Sequence, residues 1–204
     1  MKRILLALLL TASCLAQDLQ KARELYQASK LPEALEELNK APASPMTYRL
    51  RGLVYHQLEG TPEQKRTNWA LSLKDYDKAI TLDPKFADAY FGRGNLQADI
   101  GQALKEKLNW LEEHNLHLGI CKDPLIVDAR GKSRKEVLDL AIADYDQAIA
   151  LEKKYTYYFM RGSAYQFEKN WTAAIADMEE SSRLNPQFQT GNDTARALKS
   201  LMKL

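Results

Sequence analysis

The chain has little of what would staple it, turn it sharply or arm it for chemistry. Its two cysteines, Cys14 and Cys121, are too few to hold a disulfide-built scaffold. Nine glycines and seven prolines in 204 residues leave too few turn signals for an all-β fold. No apolar run reaches the roughly 20 residues that a membrane-spanning helix needs. A Gly-rich phosphate loop, an HExxH pair and a CxxC pair are all absent, and no motif places a serine with a histidine as a triad would. Three histidines remain, His56, His114 and His117. His114, His117 and Cys121 have a spacing that could bring metal ligands together, but no fourth ligand is specified. The expectation is therefore no metal, no cofactor and no catalytic residue, with an enzymatic or metal-dependent site in 101–133 as the alternative.

Enough apolar material is present to build a core: 45% of residues are hydrophobic and 27% charged. The first stretch, MKRILLALLLTASCLAQ, stands apart from the rest. Lys2 and Arg3 precede a short apolar run, Ile4 to Leu10, and small residues follow, which is the order of an export signal over residues 1–16. Residues 10–14, LTASC, resemble a bacterial lipobox, which implies acylation of Cys14 at the mature N-terminus; cleavage after Ala16 is the other route. The expected location is the periplasm or cell envelope. Loss of Lys2 and Arg3 takes 29 basic residues to 27, against 27 acidic, so no global field remains to attract a polyphosphate.

One phrase is written twice. Residues 75–84 read DYDKAITLDP and residues 144–153 read DYDQAIALEK. Around them recur MTYRLRGLVY (46–55), FADAYFGRGN (86–95) and YTYYFMRGSAY (155–165), and AAIADMEESSRLNP (173–186) follows the last. Each unit joins an aromatic-rich segment carrying Arg-Gly to a segment carrying Asp, an aromatic and Ala. The spacing is helical: Tyr48, Gly52 and Tyr55 fall at i, i+4 and i+7, as do Tyr158, Gly162 and Tyr165. Pro84 and Pro186 close second helices, because proline cannot continue the hydrogen-bond ladder.

These residues resemble the tetratricopeptide repeat (TPR), a helix–turn–helix unit of about 34 residues. The resemblance implies an all-α fold, a TPR α-solenoid of antiparallel helix pairs. Its units are a degenerate repeat over 17–45, a repeat over 46–86 with a short insertion, one over 87–154 with a helix and loop inserted at 101–133, a regular one over 155–188, and a capping helix over 189–204. Gly52, Gly94 and Gly162 would let the paired helices approach closely, with Ala141 and Ala174 as small partners. Arg51, Arg93 and Arg161 each precede the glycine, and Asp75, Asp144 and Asp177 each hold one place in the second helix. They are read as Arg–Asp pairs stitching the two helices of a repeat.

The insertions carry their own signals. Thr61-Pro62 followed by Gln64, and Ser133 followed by Glu136, are capping boxes that start second helices. Residues 101–119 read as an inserted helix, or as a degraded repeat in which Gly101 marks a turn. At the far end Ala195, Leu198 and Leu201 form one stripe, as a helix covering the last repeat requires.

By resemblance, the first helices line a concave groove that binds a peptide or helix of a protein partner. Its lining would be Arg49, Leu53 and His56, then Phe91, Asn95 and Ala98, then Phe159, Ser163, Gln166 and Phe167. Some members of the family hold chaperone C-termini in a carboxylate clamp of Lys, Arg and Asn. The matching positions here hold Gly92, Thr156 and Met160, with Asn95 and Arg49 alone suitable, so a chaperone tail is not the expected ligand. The reading is a non-catalytic protein-binding scaffold.

Overall fold

The computed structural model describes residues 19–113 and 132–203, with the backbone alone at 107–113. The export signal with Cys14, and His114, His117 and Cys121, lie outside the described residues. Those described are helical, with no strand among them. They fall into two compact units that meet in sequence at Pro84 and Lys85.

The first unit holds α1 (19–27), α2 (Leu31–Lys40), α3 (Pro45–Gln57) and α4 (Pro62–Leu82). Ala22 of α1 packs with Ala34 and Leu38 of α2 and with Leu50 and Val54 of α3. α3 starts where the Ser44 hydroxyl accepts the Thr47 amide, with Pro45 in the first turn. α4 starts at a complete capping box, in which Thr61 accepts from the Gln64 amide and Gln64 accepts from the Thr61 amide. At 21 residues α4 is eight longer than α3, because the insertion begins it early.

The second unit holds α5 (Ala87–Glu113), α6 (Arg134–Leu151), α7 (Tyr155–Phe167), α8 (Trp171–Leu184) and α9 (Gln189–Met202). Each packs on the next, and α5 also touches α7. Ser133 and Glu136 form the capping box of α6. α4 and α8 both stop two residues before a proline, Pro84 and Pro186.

One expectation fails here. α5 runs unbroken through Gly101, so residues 101–113 extend the first helix of the third repeat instead of forming a separate helix or a turn. Leu96, Ile100 and Leu104 keep one buried stripe going across the glycine. Gly101 serves close packing: a Cβ there would stand 2.9 Å from Cδ2 of Leu138 on α6. A second expectation needs trimming. α9 buries Gly191, Ala195 and Leu198, but Leu201 is 64% exposed. The apolar residues of α8 in this cluster, Ala174, Ile175 and Met178, are taken up by Ala195 and Leu198.

The connections α1–α2 and α7–α8 share one turn. Ser29 and Lys169 sit in the left-handed region, at φ 58° and 61°. In both turns that residue donates to the carbonyl three back, and the next residue donates to the carbonyl five back from itself, which closes the helix as a Schellman turn. Neither residue is glycine, and a side chain there costs about 1 kcal/mol or more.

Candidate protein-binding faces

Each repeat first spends its most chemical-looking residues on holding two helices together. Arg51 donates from Nε and Nη2 to the two oxygens of Asp75, at 2.7 and 2.8 Å. Arg93 does the same to Asp144, at 2.8 and 2.7 Å, and Arg161 to Asp177, at 2.8 and 2.7 Å. This planar, two-bond contact is one that arginine makes and lysine cannot. All three carboxylates are buried, so each needs its guanidinium. The third nitrogen reaches further than the sequence pattern suggests. Arg51 Nη1 donates to Asn39 on α2, and Arg161 Nη1 to Asp146 on α6, so these two forks each join three helices. The hydrogen bonds of Arg161 to Asp177 and Asp146 outweigh its burial and hold the charge more tightly still.

The glycines sit beside these forks. A Cβ on Gly52 would meet the Tyr76 ring and the Ser72 carbonyl at 3.3 Å. On Gly94 it would meet the Tyr145 ring at 2.9 Å and the Ala141 carbonyl at 3.3 Å. On Gly162 it would meet Asp177 and Met178 at 3.1 Å and the Ala174 carbonyl at 3.3 Å. Ser72 therefore fills in the first unit the place that Ala141 and Ala174 hold in the second. Its hydroxyl donates to the Gly52 carbonyl at 2.6 Å. Sequence reasoning missed it, although its register with the two alanines was the signal.

The expected groove residues divide once the helices are in place. Phe91 is half-buried, with its ring 4.6 Å from that of Tyr157 and 6.0 Å from that of Tyr145. Asn95 accepts the Tyr145 hydroxyl at 2.9 Å. Ala98 is buried with Ala141, Tyr145 and Ala164. These three serve the packing of α5, α6 and α7. Phe159 meets Phe188 edge-on at 4.9 Å and rests on the α8–α9 cluster, and the Ser163 hydroxyl turns back to the Phe159 carbonyl. Gln166 and Phe167 are half-buried at the end of α7, where the Phe167 carbonyl accepts Arg134 Nη2 at 2.8 Å. Arg49, Leu53 and His56 are half-buried on α3.

Burial sets the phenols. It raises Tyr76 and Tyr145 well above their ordinary range. Tyr157 is pushed up to about 12, by burial and then by its bond to the Asp88 carboxylate, which also takes Lys154. That trio ties the start of α5 to the start of α7 and was not foreseen. Among the described residues no three His, Cys, Asp or Glu side chains stand where they could share a metal ion.

The profile of the TPR repeat family matches residues 66–101. Over 85 residues the chain is 32% identical to the Hsp70-Hsp90 organizing protein of Triticum aestivum and 29% identical to the Hsp70-Hsp90 organizing protein 2 of Arabidopsis thaliana. Each match covers 40% of this chain, which spans only 13% and 14% of those proteins' lengths. A thermophilic TPR protein of Thermus thermophilus superposes with a TM-score of 0.62 at 17% identity, over 87% of this chain and 77% of its own.

Proposed function

We propose that this chain is a tetratricopeptide-repeat protein and a non-catalytic scaffold whose first-helix faces bind other proteins. One observation carries the reading: the forks and glycines consume the charged and close-packed residues, while side chains of the first helices stay half-exposed without such a duty. Leu53 on α3 and Gln166 and Phe167 on α7 are of this kind. The scaffold works in the cell envelope, delivered by residues 1–16 and either tethered through Cys14 or released after Ala16. Support for that location is the basic-then-apolar order of the first ten residues. No helix among the described residues is long and apolar enough to cross a membrane.

Site-specific photocrosslinking in the native host tests the reading. A crosslinker at Leu53 or Gln166 is expected to capture a protein, and one at the exposed Lys78 or Glu179 on second helices is not. Capture from the second-helix positions alone would reject the assignment. The mass of the mature N-terminus distinguishes an acylated Cys14 from cleavage after Ala16.

A further inference from the structure

The first-helix face of the first unit keeps two cations uncommitted. Arg23 on α1 lays a guanidinium nitrogen 3.3 Å from the sulfur of Met46 on α3. Arg49 follows Met46 by three residues on the same face of α3, and Leu53 comes one turn later. Tyr26 lies one turn beyond Arg23 on α1. Arg49 stands near enough to the hydroxyls of Tyr26 and Tyr76 to favour their ionisation, against the burial that opposes it. Among the described residues neither Arg23 nor Arg49 lies within ion-pair distance of a carboxylate. Arg51, Arg93, Arg161, Arg183 and Arg196 all do. Beneath the face is a second unmet demand. The Tyr76 ring passes under Gly52, and its buried hydroxyl has no partner.

We propose that this face holds an internal acidic segment of a protein partner. Side-chain carboxylates pair with Arg23 and Arg49, and aliphatic side chains rest on Met46 and Leu53. The proposal rests on the reading that first-helix faces bind proteins, and it names the chemistry one of them selects. Charge complementarity sets the sign of the ligand: two unpaired guanidiniums beside apolar contacts fit alternating carboxylate and aliphatic groups. A nucleic acid fits less well, since its affinity grows with the number of phosphates neutralised and two arginines neutralise few. A chain terminus also fits less well, because Gly92, Thr156 and Met160 stand where a carboxylate clamp has its polar residues, and Asn95 is taken by Tyr145.

The test is fluorescence anisotropy on the whole mature chain. The probe is a twelve-residue peptide of glutamate with leucine at every third position, acetylated and amidated so that it has no terminal charge. The glutamate peptide is expected to bind about tenfold tighter than its glutamine counterpart, two pairs contributing about threefold each. That advantage shrinks as salt rises. Arg23→Gln and Arg49→Gln each weaken binding about threefold, and Phe159→Ala in the other unit does not. Circular dichroism verifies that each variant is folded. Equal binding of the two peptides, or no effect of either arginine, overturns the proposal. So does binding that requires a free C-terminus, or tighter Arg49-dependent binding of a twelve-residue oligothymidylate. In each of these failures a protein captured at Leu53 or Gln166 still upholds the broader reading, and only loss of that capture removes it.

Discussion

Tyr76 and Tyr145 stand at the same place in two repeats, inside nearly the same phrase, and only Tyr145 has a partner for its hydroxyl. Both rings are fully buried, each beneath the glycine of its first helix. Tyr145 donates to Asn95, the residue after Gly94. In the first unit the residue after Gly52 is Leu53, and the Tyr76 hydroxyl is left unmet. The helix pairs form in both cases. What sets the hairpin is therefore a bulky buried side chain under the glycine, a tyrosine ring in these two repeats and Met178 under Gly162 in the last, together with the Arg–Asp fork, and the hydroxyl is a local addition. A repeat can trade stability for surface chemistry at that position: the second unit uses it to lock its core, and the first leaves an apolar side chain on its face.

The forks offer the sharpest way to break this comparison. If Asp75→Asn is made, Arg51 is left with neutral amides alone, the one introduced and that of Asn39. If Asp177→Asn is made, Arg161 keeps the Asp146 carboxylate. Losing a charge-assisted bond to a buried group costs about 1.5–3 kcal/mol. Urea denaturation is expected to place Asp75→Asn at the upper end of that range and Asp177→Asn at the lower. Equal losses would show that the third arm of the fork contributes nothing.

The glycines come next in size. An alanine at 94 brings a Cβ to 2.9 Å from a buried ring that has nowhere to go, so Gly94→Ala is expected to cost about 2 kcal/mol through overpacking. At Gly52 the nearest contacts are 3.3 Å, and a helix gains about 1 kcal/mol from Gly to Ala. Gly52→Ala is expected to come out near neutral. Thermal denaturation followed by circular dichroism ranks the two, and a larger loss at Gly52 would overturn the role given to the Tyr145 ring.

The parts of this design that were legible in the sequence share a cause. Arg, Gly, Asp and Tyr recur at helical spacing, and the helix period alone brings each to a predictable face. The parts that were not legible depend on distant partners. Gly101 reads as a stop in its own neighbourhood, and only Leu138 across the hairpin turns it into a packing site. Phe91 and Asn95 fall on the first-helix face by register, yet Tyr157 and Tyr145 reach far enough to engage them, Phe91 by ring contact and Asn95 by a hydrogen bond. Ser29 and Lys169 adopt a left-handed turn without the glycine or asparagine that would announce it. Arg23 went unnoticed because its helix carries Ala22 where the other repeats carry Arg-Gly.

The smallest effect isolates the hydroxyl itself. Tyr145→Phe removes a donor and leaves the half-buried Asn95 oxygen without its bond, so it is expected to cost about 1 kcal/mol. Tyr76→Phe removes a donor that has no partner, and deleting an unmet buried polar group relieves a desolvation penalty of similar size. It is expected to leave stability unchanged or to raise it by up to about 1 kcal/mol. Leu53→Asn reverses the sense of the comparison by supplying the first unit with the acceptor that the second unit has. In the Leu53→Asn background Tyr76→Phe should become destabilising, and a double-mutant cycle in urea reads that coupling directly. A coupling of zero would mean that the Tyr76 hydroxyl does not point toward position 53, and the parallel between the two repeats would end at the ring.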